Sequence, residues 1–300
     1  MRVTGCGVCG SDLHVASNMG APGTVLGHEI AGVVEELGRD VDAVAVGDLV
    51  AVRPFSACGE CRWCAAGRQD HCSAFELIGM QRNGGFAERT IASASELFAL
   101  PASVRPEDHA LVEPFAVARR ALRRAGLVAG ESVIVLGGGP IGLAVTHWAR
   151  ALGAGHIVLS DPLAPRRELA ISLGADDAVG PDEIAEIAGD GAPLVVECSG
   201  KPRVIDQAMQ LAAIDGRVAV VGICLAQDTI FPWWGLHKEL DVRFSIYYGR
   251  EDFTDTIDSF ASGALAPDGL VTETVTLDAL PERFARLAAT GDAGKIVVTP

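Results

Sequence analysis

The stretch Ser132-Val-Ile-Val-Leu136, continued by Gly137-Gly-Gly-Pro-Ile-Gly142, decides the fold of this 300-residue chain. Its first half is a short apolar run that predicts a buried strand, and an apolar helix follows the glycines. A G-x-G-x-x-G pattern between a strand and a helix is the context in which it binds dinucleotides. Gly137 would make the tight turn, Gly139 would let the backbone approach a pyrophosphate, and Gly142 would let helix and strand pack closely.

The next predicted strand supplies the acidic residue that such a unit needs. An apolar run ends in Asp161, nineteen positions after Gly142, where a carboxylate accepts hydrogen bonds from the adenosine ribose. The same charge would repel a 2′-phosphate, so the sequence favours NAD over NADP. Pro140 and Ile141 belong to the predicted cofactor turn, and Arg166 on the following helix is predicted near the ribose or the adenine. For Arg166, a solvated helix face is the alternative.

Strand and helix signals alternate from residue 116 to residue 248, which is typical of a parallel, doubly wound sheet. Residues 1–115 are rich in glycine, cysteine and short β-type runs and predict a β-rich domain, while residues 249–300 have mixed character. The predicted strands are Ser132–Leu136, His156–Ser160, Asp177–Val179, Leu194–Glu197, Arg217–Val221 and Val242–Tyr247. The predicted helices are Ile141–Leu152, Pro165–Leu173, Ile184–Ala188 and Arg203–Ala212.

Two short segments follow predicted strands on the side where such sheets bind ligands, the carboxyl ends of the strands. They are Glu197-Cys-Ser-Gly200 and Val221-Gly-Ile223. We expect their backbones to contact the nicotinamide half of the cofactor.

Four cysteines lie within fifteen positions, as Cys58-Gly-Glu-Cys61-Arg-Trp-Cys64 followed by Cys72. Four thiolates at this spacing can surround one tetrahedral ion, and four sulfur ligands with no open position are typical of structural zinc. An iron–sulfur cluster is the alternative, but ferredoxin runs usually continue with C-x₃-C-P, which this sequence lacks here.

Three further fragments carry groups that can bind a metal: Cys9-Gly-Ser-Asp-Leu-His14, Gly27-His-Glu29 and Glu113-Pro114. None is specific alone, but together they offer thiolate, imidazole and carboxylate and leave a fourth position open, as catalytic zinc requires. A zinc ion lowers the pKa of a bound alcohol, and the nicotinamide then accepts a hydride. Ser11 and His14 are suitable hydroxyl and imidazole groups to carry the proton away.

The order of these motifs resembles the medium-chain zinc-containing alcohol dehydrogenase family over nearly the whole chain. The resemblance implies an α/β protein with a GroES-like catalytic domain, residues 1–115 and 249–300, and an inserted Rossmann NAD-binding domain, residues 116–248. Gly294-Lys-Ile-Val-Val298 resembles the closing strand of the family. The motifs that carry the resemblance are Gly7–His14, Gly27–Glu29, Gly47–Val50, Cys58–Cys72, Gly84–Glu88, Glu113-Pro114, Gly137–Gly142 and Asp161.

The resemblance also implies two zinc ions per chain. It makes Cys9 and His28 ligands of the catalytic zinc and assigns the structural zinc to Cys58, Cys61, Cys64 and Cys72. Glu113-Pro114 resembles the sorbitol, threonine and butanediol dehydrogenases, in which Glu29 or Glu113 would bind zinc directly; the sequence leaves both open. The implied reaction is reversible, zinc-dependent hydride transfer between a secondary alcohol or polyol and NAD.

The composition restricts the partners. The formal charge is 24 − 39 = −15, and an acidic surface repels phosphate backbones, so we expect no nucleic-acid partner. We expect no membrane span, because no apolar run reaches the required length, and the start lacks a secretory signal, which predicts a cytoplasmic enzyme. The resemblance implies a homodimer or homotetramer, because the strand near Val242–Tyr247 can extend a sheet across a two-fold axis.

Only eight residues precede Cys9, where the family has further strands. We therefore expect an upstream segment in the natural chain, or a catalytic domain with exposed strand edges, and restoring upstream sequence should raise solubility and activity. The alternative function is a non-catalytic zinc- and nucleotide-binding relative, inactivated by the missing strands. One zinc per chain would favour that alternative, and two would favour the enzyme.

Overall fold

A computed structural model describes residues 1–16, 23–290 and 293–300. The strands are β1 (Arg2–Gly7), β2 (Glu29–Val33), β3 (Leu49–Val52), β4 (Phe55–Ser56), β5 (Glu76–Leu77), β6 (Leu97–Ala99), β7 (Val133–Leu136), β8 (Ile157–Ser160), β9 (Asp177–Val179), β10 (Ala192–Glu197), β11 (Ala212–Val220), β12 (Asp241–Phe244), β13 (Val271–Thr276) and β14 (Lys295–Thr299). The α-helices are α1 (Gly10–His14), α2 (Arg62–Ala65), α3 (Val112–Ala125), α4 (Pro140–Ala151), α5 (Ala164–Ser172), α6 (Ile184–Ala188), α7 (Val204–Leu211), α8 (Trp233–Lys238), α9 (Arg250–Ser262) and α10 (Leu280–Thr290).

The first sheet joins both ends of the chain. Its six strands run in the order β13-β14-β1-β2-β3-β6, and all neighbours are antiparallel except β13 and β14. Cys6 of β1 lies opposite Val298 of β14. This register brings the C-terminal strand beside the segment that carries Cys9.

The second sheet is parallel throughout, in the order β12-β11-β10-β7-β8-β9. Its central strand β7 is buried along its whole length, as the apolar run Val133–Leu136 predicts. The strand order reverses between β7 and β10, and the crevice outside the carboxyl ends of strands at such a point is where these sheets bind ligands. The predicted fold class, a β-rich domain with a doubly wound domain, is confirmed; the domain boundaries remain a prediction.

All ten predicted elements of the parallel domain overlap an observed one, but some ends differ. The last predicted strand, Val242–Tyr247, ends at Phe244, and Tyr247 has a φ of 56° that a strand does not allow. The predicted helix Arg203–Ala212 begins one residue later, because Arg203 has a φ of 73°.

Helix α3 is an element that the sequence prediction missed. It begins within the part of the chain expected to be β-rich and has 14 residues. Pro114 is tolerated because the amides of a first helical turn have no partner inside the helix. The helix buries Phe115 and Leu122 and packs against both α4 and α9. It therefore connects the two sheets and carries Glu113 at its beginning.

One apolar core runs through both parts of the molecule. It includes Ala51 from the first sheet, Phe55 from the small two-stranded sheet of β4 and β5, Val133 and Leu143 from the parallel domain, and Phe253 from α9. Such a shared core holds the two sheets in a fixed relation across the crevice between them. Among the described residues, no helix is long and apolar enough to cross a membrane.

Candidate active site and metal centres

A cavity of about 490 Å³ lies where the two sheets meet. Its wall combines side chains from the first part of the chain with the loops that follow β7, β10, β11 and β12. The lining residues that the sequence predicts to be functional are Cys9, Ser11, His14, His28, Glu113, Gly139, Pro140 and Ile141. The predicted metal ligands Cys9, His28 and Glu113 therefore share one cavity with the predicted cofactor turn, whereas Glu29 is not part of its lining.

Cys9 precedes α1, and Asp12 connects it to His28. The buried Asp12 carboxylate accepts a hydrogen bond of 2.9 Å from the Cys9 amide. Its other oxygen, Oδ1, lies 3.3 Å from Nδ1 of His28. Burial lowers the pKa of His28, but Asp12 and Cys9 outweigh that effect, so the pKa of His28 is raised. A carboxylate beside the second ring nitrogen is the usual arrangement for a metal-binding histidine.

Glu29 completes a group of three candidate ligands. The ligand atoms of Cys9, His28 and Glu29 all lie within 4.8 Å of one another. Glu29 is fully buried, and its Oε2 has no hydrogen-bond partner. An added Cβ at Gly7 would lie 1.9 Å from this oxygen, so only glycine leaves space for it. A buried carboxylate oxygen without a partner is costly, and a cation would satisfy it; thiolate, imidazole and carboxylate fit zinc.

Glu113 lies in the cavity wall at the beginning of α3 and is 7% exposed. Burial raises the pKa of Glu113 to about 7. The group of three ligand atoms does not include Glu113. Both glutamates are therefore near the candidate metal position, but the structure groups only Glu29 with Cys9 and His28.

The two predicted relay residues lie on α1. Ser11 is half-buried and His14 is exposed, and both line the cavity. Their role in proton transfer remains a prediction.

The four-cysteine lobe forms a separate cluster. The Sγ atoms are 3.5 Å apart for Cys58 and Cys72, 3.6 Å for Cys61 and Cys64, and 3.9 Å for Cys58 and Cys64. Sulfurs around a tetrahedral zinc at a Zn–S distance of about 2.3 Å lie about 3.8 Å apart. The cluster therefore has the dimensions of a structural zinc site.

The electrostatics of this lobe also fit a cation. The backbone of Cys64 lowers the pKa of the Cys61 thiol to about 6. The amide of Cys58 donates to the Cys72 sulfur at 3.4 Å and lowers the pKa of Cys72. Burial raises the pKa of Cys64 to about 12. Four neighbouring thiols cannot all ionise unless a cation compensates their charge.

The glycine turn has the geometry of a dinucleotide turn. Gly137 has a φ of +103°, which favours glycine, and an added Cβ at Gly142 would lie 1.8 Å from the Gly137 carbonyl oxygen. An added Cβ at Gly139 would meet no protein atom within 4 Å. At Gly139 the free space is thus on the cavity side, where a phosphate group would approach.

Asp161 lies at the end of β8 and is 3% exposed. Its carboxylate accepts hydrogen bonds from the amides of Gly138 and Leu163, both at 2.8 Å. Arg166 Nη1 donates to the same carboxylate at 3.2 Å. The structure thus brings Asp161 and Arg166 together beside the glycine turn, while their contacts with a cofactor remain a prediction.

Sequence reasoning missed three residues that organise the cavity: Asp12, Lys295 and Glu197. Asp12 lies within the fragment Cys9–His14, but its position in the sequence did not reveal that it faces His28. Lys295 Nζ donates to Glu29 Oε1 at 2.6 Å, a contact that no local pattern signals. Glu197 was predicted only to belong to a segment whose backbone contacts the cofactor, although an acidic residue that ends an apolar strand was a usable signal for its side chain.

Comparisons with known proteins agree with this site. A family profile described as "Alcohol dehydrogenase GroES-like domain" matches residues 1–102, and one described as "Zinc-binding dehydrogenase" matches residues 140–262. A 2-dehydro-3-deoxy-L-galactonate 5-dehydrogenase from Pseudoalteromonas atlantica is 34% identical over 97% of this chain and 88% of its own length. A sorbitol dehydrogenase from Bacillus subtilis is 32% identical over 100% of this chain and 89% of its own length.

A solved structure is similar over the whole fold. A protein from Sinorhizobium meliloti, described as a zinc-binding dehydrogenase and bound to NADP, superposes with a TM-score of 0.93 at 33% identity. The match covers 100% of this chain and 91% of that one. This chain belongs to the zinc-dependent medium-chain dehydrogenase family, in its polyol dehydrogenase branch. It is an oxidoreductase of the alcohol and polyol dehydrogenase class, and the comparisons give no support to the non-catalytic alternative.

Proposed function

We propose that this chain oxidises a secondary alcohol or polyol with NAD, reversibly, at a zinc ion held by Cys9, His28 and Glu29. One observation carries the proposal. The ligand atoms of these residues lie within 4.8 Å of one another, and Cys9 and His28 line a cavity that Gly139, Pro140 and Ile141 also line. A metal site and a dinucleotide site in one cavity can act on the same small substrate.

Glu29 is proposed as the direct carboxylate ligand. Its unpartnered, buried Oε2 and its position in the group of three support this choice over Glu113. Glu113, in the wall of the cavity, is proposed to bind the zinc ion through a water molecule or by exchange with Glu29.

When bound, the zinc polarises the alcohol oxygen and the nicotinamide accepts the hydride. Asp12 orients His28 from behind. Ser11 and His14, three positions apart on α1, lie on one helix face, and they pass from half-buried to exposed. That gradient supports a relay in which the alcohol proton moves from the cavity to solvent. The cysteines of the lobe hold the second, structural zinc.

The preference for NAD is proposed to reside in Asp161. The Sinorhizobium relative is bound to NADP, so membership of the family does not decide the cofactor. A buried carboxylate at the end of β8, beside Gly138, would repel a 2′-phosphate and accept from a ribose hydroxyl. Arg166, in contact with that carboxylate, would lie against the adenosine half. Gly137 and Gly142 would shape the pyrophosphate turn.

The experiment measures zinc per chain and NADH formation with a panel of sorbitol, other polyols and 2,3-butanediol. The wild-type chain should hold two zinc ions and reduce NAD. Cys9→Ala should hold one and lose turnover. Cys224→Ala, a cysteine outside both clusters, should behave as wild type. A Cys9→Ala variant with two zinc ions and full activity would refute the site, and one zinc without turnover in wild type would favour the non-catalytic alternative.

The chain is further proposed to form homo-oligomers through β12, the edge strand of the parallel sheet. Among the described residues, eight of the seventeen exposed large apolar side chains lie between residues 223 and 246. An exposed strand edge with apolar flanks is a template for pairing with a second copy. We also propose the cytoplasm as its location, because its eight cysteines are all free and a cluster of four thiolates requires a reducing compartment.

A further inference from the structure

The carboxylate of Glu197 holds a turn at the carboxyl end of β10. The residue is 1% exposed. Its Oε1 accepts hydrogen bonds from the Ser199 amide at 2.7 Å, the Ser199 hydroxyl at 2.7 Å and the Gly200 amide at 2.9 Å. Hydrogen bonds to an ionised carboxylate are about twice as strong as neutral ones. One oxygen atom therefore fixes the path of residues 197–200.

The main chain of the same residue holds a second segment. The Glu197 carbonyl oxygen accepts from the amides of Val221 at 2.8 Å and Gly222 at 3.0 Å, directly after β11. The two segments touch backbone to backbone, because an added Cβ at Gly222 would lie 2.2 Å from the Gly200 nitrogen and 2.6 Å from Glu197 Oε2. Residues 197–200 and 221–223, the turn pair, thus form one unit with Glu197 at its centre.

The turn pair faces the cavity and the glycine turn. Ser199, Val221, Gly222 and Ile223 line the same cavity as Cys9. An added Cβ at Gly137 would lie 2.9 Å from the Ser199 nitrogen, so the turn pair also abuts the start of the glycine turn. A displacement of Glu197 would therefore reach the cofactor site directly.

The sheet order identifies which half of a dinucleotide meets the turn pair. Strand β7 separates β8, which ends beside Asp161, from β10 and β11. A dinucleotide with its pyrophosphate at β7 and its adenosine at Asp161 must extend its other half across β10 and β11. That half is the nicotinamide, and it reaches the cavity next to Cys9.

Stability alone does not explain a charged residue at this position. Among the ion pairs of the described residues, none includes Glu197, so its buried charge is compensated only by the donors of the turn. Burying a carboxylate without a cation costs free energy. An apolar residue would suit the end of a buried strand equally well, and the carboxylate serves the turns that it shapes.

We propose that Glu197 is a positioning residue: it locks the turn pair into the surface against which the nicotinamide half of the cofactor binds. The inference rests on the proposed NAD site and adds a residue that acts through the backbone of residues 197–200 and 221–223. It predicts that loss of the Glu197 charge weakens binding of the nicotinamide half and leaves the adenosine half unaffected.

The test compares NADH with ADP-ribose, which lacks the nicotinamide, by isothermal titration. In Glu197→Gln, the Kd of NADH should rise about fivefold, since charge-assisted hydrogen bonds become neutral ones. The Kd of ADP-ribose should change less than about twofold. Glu131→Gln is the control: Glu131 also accepts from a backbone amide, that of Val128 at 2.9 Å, and in addition pairs with Arg217, but it lies before β7 at the opposite end of the sheet. It should leave both Kd values unchanged.

If Glu197→Gln raises the Kd values of NADH and ADP-ribose by the same factor, or raises neither, the proposal is overturned. Either result would mean that Glu197 has only a structural role. If Glu197→Gln does not fold, Ser199→Ala decides the matter. This variant removes one of the three hydrogen-bond donors to Glu197 and should raise the Kd of NADH about twofold, while the Kd of ADP-ribose stays constant. If the ratio of the two Kd values does not change, the proposal is overturned. A wild-type chain that binds ADP-ribose and NADH equally would also overturn it, while one that binds neither would overturn the proposed cofactor itself.

Discussion

The ammonium group of Lys295 lies 2.6 Å from Oε1 of Glu29, although the two residues are 266 positions apart. Both side chains are buried, at 1% and 0% exposure. Lys295 also donates to the carbonyl oxygen of Val8 at 3.0 Å. The closing strand β14 therefore reaches the candidate catalytic centre and holds one oxygen of Glu29, which leaves the other oxygen for a metal.

Replacement of Lys295 tests this arrangement. Lys295→Met leaves the Glu29 carboxylate buried without its cation, and loss of one partner of a buried pair costs about 3–5 kcal/mol. We expect a decrease of that size in the free energy of unfolding, measured by urea denaturation of the zinc-free protein. Lys295→Arg keeps the positive charge, so its free energy of unfolding should decrease less. A decrease below about 1 kcal/mol in Lys295→Met would show that the pair contributes little.

Local patterns in the sequence were sufficient to predict the parallel domain and the four-cysteine group, whereas the grouping of Cys9, His28 and Glu29 followed only from the resemblance to a known family. A strand, a glycine turn and a helix follow one another between Ser132 and Leu152, and the cysteines of the lobe lie within fifteen positions, so neighbours in sequence are neighbours in space. The pair of Lys295 and Glu29 arises only when both chain ends enter one sheet. Helix α3 was missed because Glu113-Pro114 was considered only as a possible source of a metal ligand, although a first helical turn tolerates proline.

Asp161→Asn tests the cofactor preference. The substitution removes the charge that would repel a 2′-phosphate but keeps an oxygen that can accept from the Gly138 amide. We expect the ratio of kcat/KM for NADP to that for NAD to rise about tenfold, which corresponds to about 1.4 kcal/mol. Asp177→Asn, a half-exposed carboxylate on β9, is the control and should leave the ratio unchanged. An unchanged ratio in Asp161→Asn would place the preference elsewhere.

Loss of one lobe cysteine should remove the structural zinc. Cys72→Ser weakens a ligand whose sulfur lies 3.5 Å from that of Cys58, and a structural metal contributes directly to folding. We expect one zinc per chain and a loss of about 2 kcal/mol or more in unfolding free energy. Zinc analysis and denaturation measure both quantities, with Cys224→Ser as the control. A variant that keeps two zinc ions would contradict a four-cysteine site.

His147 predicts a pH dependence of stability away from the metal sites. Its Nδ1 lies 3.0 Å from the Leu173 carbonyl oxygen, and its Nε2 accepts from the Ala266 amide at 3.1 Å. The neutral ring fits both contacts, and burial lowers the pKa of His147. The unfolded chain then takes up the proton first, at its ordinary pKa of about 6.5. The contribution of the neutral His147 ring to the free energy of unfolding is therefore complete above that pH. It decreases as the pH falls towards the lower pKa of the folded chain.

Comparison with His147→Gln isolates this effect, because changes at the zinc sites cancel. We expect the advantage of wild type in unfolding free energy to shrink between pH 7.5 and 5.5, by no more than about 1.4 kcal/mol per pH unit. Urea denaturation at several pH values measures it. His156→Gln, a residue half-exposed beside Asp177, is the control. An advantage that grows as the pH falls would show that His147 is protonated in the folded chain.

Phe244 tests the proposed interface. It lies on β12, whose partner within the described residues is β11 on one side only, and it is 64% exposed. If two copies pair along β12, Phe244→Glu places a carboxylate from each copy in the desolvated contact, and like charges there are strongly unfavourable. We expect the Phe244→Glu variant to sediment as a monomer. Ile91→Glu is the control, because Ile91 is 77% exposed and lies in the first part of the chain, away from β12; this variant should sediment as wild type. Because Ile246 lines the cavity beside the same strand, the monomer should also bind its alcohol substrate with a higher KM. A Phe244→Glu variant that sediments as wild type would exclude β12 as the interface.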